Sequence, residues 1–247
     1  MPASFRLILD PPRSATLNMA LDEVLAHAQS DVDAIPCLRF YRWKQPAVTV
    51  GYFGDVEKTV KRFDAEKKEL AVVRRLTGGG AVHHGKDLTF SLCSKLPSPY
   101  FPTDVKNSYL KINEAVRLGL KSRYPDIDYA DCRTVPFISS RQKERVCFDM
   151  PSCYDLLSGG KKILGASQRR IGKIMLHQST LFLDEDFMDL AQMIAQGFRE
   201  LWKIEFEEIS MTDGEMQSAG EVERARYGAR EWAYLPGSFL REAIFFS

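Results

Sequence analysis

The sequence carries no surplus of either charge: 34 Lys and Arg stand against 33 Asp and Glu over 247 residues, a formal net charge of +1. Nothing in that balance favours DNA, RNA or an anionic membrane surface, so neither nucleic acid nor membrane is expected as a partner, and any charge-based function must be local. No apolar run is long enough to cross a bilayer, and residues 1–10 lack the basic stretch and apolar core of a secretory signal. The five cysteines, Cys37, Cys93, Cys132, Cys147 and Cys153, are odd in number and form no regular CxxC. This differs from the paired framework of a small secreted domain and points to a reducing cytoplasm. No Cys or His pair has the short spacing of a structural zinc site, so no metal centre is expected. Internal repeats, low-complexity tracts and long linkers are also missing, and the simplest organisation is one domain over 1–247. What remains is an ordinary globular composition, 45% hydrophobic and 27% charged, long enough to bury roughly 70% of its unfolded surface without a staple.

The hydrophobic patterning predicts an α+β fold with helices packed on an antiparallel or mixed sheet. A strand over 5–9 precedes a helix capped by Ser14 or Thr16, with Leu17, Met19, Ala20, Leu21, Val24 and Leu25 on its apolar side. Runs at 38–43 and 47–50, joined by Lys44-Gln45-Pro46, suggest a hairpin. A helical stretch over 56–70, strands at 71–75 and 88–92, and a helix capped by Thr103 or Asp104 follow. Further strands are expected at 154–157, 162–164 and 174–183, with Ser158-Gly159-Gly160 as a turn, before helices at 187–202 and 214–227.

Two stretches carry residues suited to chemistry. In the first, Arg74-Arg75-Leu76-Thr77-Gly78-Gly79-Gly80 leads to His83-His84 and Asp87-Leu88-Thr89-Phe90-Ser91. Adjacent glycines let a bound carbonyl or phosphate approach backbone N–H groups, although a bare Gly-Gly-Gly is more often a flexible turn, and neither a Walker A loop nor a GxGxxG turn is present. Arg75 is a candidate for an anionic substrate group, against the alternative of strand-end salt bridges. His83 and His84 alternate across a strand, so at most one faces a given pocket, and His27 is expected on a helix surface. The second stretch runs from Cys147 through Cys153, Lys161-Lys162-Ile163-Leu164-Gly165-Ala166 and Ser167 to His177-Gln178. A thiolate attacks acyl groups, and a nearby ammonium lowers the thiol pKa from about 8.5. Cys147, in a loop ahead of Pro151, is the preferred nucleophile; Cys153, at the start of a strand-like run, suits a small buried hydrophobe.

Taken together these stretches resemble the lipoate-protein ligase A and octanoyltransferase superfamily, whose catalytic domain is similar to that of biotin protein ligases. The resemblance begins at Leu17-Asn18-Met19-Ala20-Leu21-Asp22-Glu23. It runs through Arg39–Trp43, Gly51–Gly54 and both motifs, and reaches Arg224–Trp232. Thr77-Gly78-Gly79 with His84, Asp87–Ser91 and Cys147-Phe148-Asp149 look most like the cysteine-dependent octanoyltransferases. That likeness implies a Cys147-linked acyl-enzyme, Lys162 as the family lysine, and an acyl site at Arg75, Thr77, Gly78, Gly79, Gly80, His84, Ser91, Gly165, Ala166 and His177. Val72, Val82 and Leu176 are expected to help line an apolar tunnel. The implied donor is octanoyl-acyl carrier protein. The implied acceptor is a lysine of a lipoyl domain or of the glycine-cleavage H protein, with no cofactor. The alternatives are a ligase using ATP and magnesium through lipoyl-adenylate, and a non-catalytic lipoate-binding partner subunit. Gly80, Gly54 and Gln178 stand where related transferases commonly carry Arg, Gln and Gly, which leaves the choice of octanoyl or lipoyl group open.

Overall fold

The computed structural model describes residues 3–133, 135, 148 and 151–234. In chain order these form β1 (Ala3–Leu9), α1 (Ala15–Ala28), β2 (Cys37–Tyr41), β3 (Ala47–Val50), α2 (Val56–Phe63) and β4 (Ala71–Arg74). Next come β5 (Val82–His84), β6 (Leu88–Lys95), α3 (Val105–Leu120), β7 (Asp128–Tyr129), β8 (Leu156–Ser158), β9 (Lys161–Ile171) and β10 (Ile174–Leu181). The described chain ends with α4 (Phe187–Trp202), β11 (Ile204–Glu208), α5 (Asp213–Val222) and α6 (Arg230–Tyr234).

Among the described residues, eight strands form a mixed sheet in the order β11-β1-β2-β6-β10-β9-β8-β7, and β4-β3-β5 form a smaller one. The expected hairpin at 38–50 is therefore not formed: β2 pairs antiparallel with β6 and parallel with β1, while β3 belongs to the small sheet. Arg42–Pro46 carries the chain between sheets, and Trp43 makes only an isolated bridge to Arg13. Side-chain oxygens end three of the helices as their sequences suggest: Ser14 caps α1, Asp104 caps α3 and Asp186 caps α4.

The large sheet buries both faces, because strand residues alternate sides. On one side α3 and α4 cover Phe40, Phe90, Leu92, Met175 and Leu181, with Ile112, Val116, Leu190, Ile194 and Phe198 supplied by the helices. On the other, α1 lays Met19, Leu21 and Leu25 against Ile8, Tyr41 and Leu176. The last described turns close over α1, where Tyr227 and Arg226 bond Glu23 and Trp232 donates to the Arg74 carbonyl.

Candidate active site

The register places one polar row straight across the large sheet. Arg39 of β2 lies opposite Ser91 of β6, Ser91 opposite Gln178 of β10, and Gln178 opposite Ser167 of β9. One step along, Tyr41, Thr89, Thr180 and Gly165 form a second row on the same face. The small sheet stands over these rows and contributes Thr49, Val82 and His84. The trough between the sheets is narrow, enclosing a cavity of about 20 Å³ that opens to solvent at its mouth. Met19, Trp43, Arg75, Ala166 and Ser167 complete its lining.

The glycine loop is held by Arg75. Its Nη2 donates to the carbonyls of Gly78 and Gly80 at 2.5 and 2.8 Å, its Nη1 to the carbonyl and hydroxyl of Thr49, and its Nε to Thr77 Oγ1. These five contacts match the five N–H groups of a guanidinium, so Arg75 shapes the loop from within. Gly79 adopts φ +89°, and a Cβ on Gly51 would fall 2.0 Å from the Gly79 carbonyl oxygen, so two backbones meet where side chains do not fit. Arg74 is likewise committed, donating to the carbonyls of Tyr52, Gly54 and Ala233.

His84 and His83 separate as strand alternation requires: His83 is exposed, while His84 is buried and stacks on Trp43 with ring centroids 3.9 Å apart. Asp87 sits 2.9 Å from His84 Nδ1, and Thr49 Oγ1 sits 2.9 Å from Nε2. Burial lowers the His84 pKa despite the neighbouring carboxylate, favouring a neutral ring that donates to Asp87 and accepts from Thr49. The Asp87 carboxylate also receives Trp43 Nε1–H, the Gly85 N–H and the Thr89 hydroxyl. With both ring nitrogens engaged, His84 forms part of the trough wall.

Beneath the trough, Asp22 of α1 accepts from Arg39 Nη1, Ser91 Oγ, Tyr41 OH and Gln178 Nε2 at 2.7 to 2.9 Å. Arg39 also binds Asp10 Oδ2 at 2.7 Å and is fully buried. Ser91, expected at the acyl site, thus lies one layer below it as a donor to Asp22. Thr77 sits where the loop meets the floor: its hydroxyl donates to Gln178 Oε1 at 2.6 Å and lies 2.8 Å from Ser167 Oγ.

His177 is not among the residues lining the trough. It is the odd neighbour of Gln178 on β10, so it points to the opposite face, between Phe90 and Tyr109 of the α3 core. Burial lowers its pKa to about 3; Nε2 is 2.8 Å from Ser179 Oγ, and Nδ1 has no hydrogen-bond partner. Leu176 lies in the hydrophobic cluster around α1, and neither it nor Val72 lines the trough; Val82 does.

Lys162 is 4% exposed, with Nζ 2.7 Å from Asp155 Oδ2 and 5.0 Å from the Phe148 ring centroid. Asp155 also accepts the Ser152 N–H, and burial raises its pKa. Cys147 lies outside the described residues. The expectation for Cys153 is overturned: it is exposed and forms a disulfide with Cys132, with Cα atoms 4.6 Å apart. Strands β7 and β8 bring the two together, and this pairing departs from the all-thiol chain expected of a reducing compartment. Among the described residues Cys37 and Cys93 are buried free thiols, and burial raises both pKa values, that of Cys37 to about 12. Among the described residues no His, Cys, Asp and Glu group could hold a metal ion, and no helix is long and apolar enough to cross a membrane.

The profile of the lipoyl protein ligase A/B catalytic domain matches residues 14–209, from the cap of α1 to just past β11. The chain belongs to this family. The octanoyltransferase LipM of Bacillus subtilis is 34% identical over 218 residues, covering 86% of this chain and 78% of that protein. That of Oceanobacillus iheyensis is 32% identical over 219 residues, covering 87% and 78%. Among solved structures, a lipoate-protein ligase A bound with ATP superposes with a TM-score of 0.75 at 24% identity, over 96% of this chain and all of that one. A bipartite lipoate protein ligase from Thermoplasma acidophilum gives 0.74 at 23%, over 95% and 97%. At these identities the structural likeness speaks for the fold.

Proposed function

We propose that this member of the family is an octanoyltransferase of protein lipoylation. It would move an octanoyl group from an acyl-carrier thioester to the ε-amino group of a lysine on a lipoyl domain or the glycine-cleavage H protein. The reading rests on the trough between the two sheets, walled by Trp43, Val82, Met19 and the backbone of Gly165–Ala166, in a chain whose relatives at 32–34% identity carry that activity. The glycine loop beside the trough offers backbone N–H groups to a carbonyl oxygen.

The reaction has two halves. The Cys147 thiolate attacks the donor carbonyl; a C–S bond forms to the enzyme, the bond to the carrier thiol breaks, and that thiol leaves with a proton. The acceptor amine then attacks the acyl-enzyme; the C–N bond forms, the C–S bond breaks, and the amine proton restores the Cys147 thiol. No nucleotide is consumed and no cofactor takes part. Lys162, oriented by Asp155, would favour the thiolate and the developing oxyanion. The cytoplasm, where acyl carrier protein is found, is the proposed location.

Intact-mass analysis after mixing with octanoyl-acyl carrier protein tests this. A thioester adduct is expected on the parent and on Cys153→Ala but not on Cys147→Ala, with transfer to a lipoyl domain in the absence of ATP. Lys162→Ala is expected to lower transfer by roughly a hundredfold or more, the scale of losing one electrostatic or acid–base group. Modification only with ATP and free lipoate would replace the reading with a ligase, and tight lipoate binding without turnover would replace it with a binding subunit.

A further inference from the structure

Gln178 is built into the trough as a fixed bar. Its side chain is 6% exposed, and both polar atoms are held: Oε1 by Thr77 Oγ1 at 2.6 Å, Nε2 by Asp22 Oδ2 at 2.7 Å. Nε2 also lies 3.6 Å from Met19 Sδ, so the amide spans the space from the glycine loop to α1. Swinging it aside would break both of these buried hydrogen bonds at once. With both ends bonded to protein, the amide meets a ligand as a wall.

Gln178 is directly opposite Ser167 of β9, and both side chains line the trough.

We propose that Gln178 is a specificity-determining residue that narrows the trough and disfavours acyl chains longer than octanoyl and the broader dithiolane of a lipoyl group. This rests on the acyltransferase reading, and the side chain acts by occupying volume.

The test compares the parent, Gln178→Gly and Gln178→Met as purified full-length proteins, with octanoyl-, decanoyl-, dodecanoyl- and lipoyl-carrier thioesters as donors and a lipoyl domain as acceptor. The readout is the ratio of kcat/KM for dodecanoyl or lipoyl to that for octanoyl. Gln178→Gly is expected to raise that ratio by roughly tenfold or more, the scale on which a pocket discriminates by one methylene or a few. Gln178→Met keeps the bulk and loses the hydrogen bonds; it is expected to lower all rates together and leave the ratio where it was. A purely structural role would give that uniform loss in both variants and overturn the proposal, as would a Gln178→Gly enzyme that transfers octanoyl with the parent's ratio. Should Gln178→Gly melt below assay temperature, Gln178→Ala takes its place with the same expectation. A parent that transfers octanoyl well but shows no chain-length preference defeats the inference alone; a parent inactive with every thioester defeats the acyltransferase reading beneath it.

Discussion

Replacing Asp22 by Asn exchanges one carboxylate oxygen for an NH₂ and removes the charge at the centre of the floor. Asp22 is 1% exposed and receives four side-chain donors, Arg39 and Ser91 on Oδ1 and Tyr41 and Gln178 on Oδ2. Whichever oxygen becomes NH₂, two of those donors face a donor, and Arg39 loses one of its two counter-charges while keeping Asp10 at 2.7 Å. Breaking a buried pair from one side costs about 3–5 kcal/mol, because the partner charge stays buried. For a chain of this length each kcal/mol moves the melting midpoint by about 2–4 °C, so Tm should fall by roughly 6–20 °C. Differential scanning calorimetry on the parent and the variant measures this, with Ser210→Ala, an exposed side chain, as a control. The loss is expected to exceed that of Tyr41→Phe, which removes one donor and leaves the charge in place. A midpoint lowered by less than about 3 °C would show that the network is not under load and would refute the reasoning.

Three further outcomes are expected. Burial lowers the His177 pKa to about 3 from the ordinary 6.5, so the unfolded chain binds more protons between those values, and its contribution to stability is present above pH 6.5 and lost as pH falls toward 3. Relative to His177→Phe, the parent's unfolding free energy from urea titration should fall more steeply, by about 1.4 kcal/mol per pH unit within that window; parallel slopes would contradict a neutral buried imidazole. Gly197 of α4 faces α3 so closely that a Cβ would lie 1.9 Å from the Ala115 carbonyl oxygen, so Gly197→Ala should destabilise by about 1–3 kcal/mol, whereas Gly220→Ala in α5, where the nearest atom is 3.5 Å away, should be neutral or stabilise by up to about 1 kcal/mol. Denaturation without reductant, followed by alkylation and mass measurement, should label Cys37, Cys93 and Cys147 and leave Cys132 and Cys153 unmodified; five labels would remove the disulfide.

What the chain's own order decided is local. The apolar repeat over Phe187–Trp202 reads as α4 with those same ends, Ser14 and Asp104 cap the helices they precede, and Ser158–Gly160 turns β8 into β9. Each follows from interactions within a few residues, which is why helix period, cap and turn are visible without a partner. His84 and Gly165–Ala166 were legible as parts of one site by motif, and the fold brings them to one trough, with the glycine loop tied to its edge through Arg75 and Thr77. Pairing over distance was not legible. The dense aromatics of 38–50 suggest a hairpin, yet β2 gains more by entering the large sheet between β1 and β6. The alternation Ile204-Glu205-Phe206-Glu207-Glu208 becomes a strand only because β1 offers a parallel edge two hundred residues away. Register across four strands, set by that assembly, put Gln178 over the floor and turned His177 into the core, a one-residue difference that no sequence motif encodes. Tertiary structure likewise chose Cys132 as the partner of Cys153 and gave all five N–H groups of Arg75 to the loop and strand around it. A sequence names the donors, and only the packed chain decides which acceptors lie within 3 Å of them.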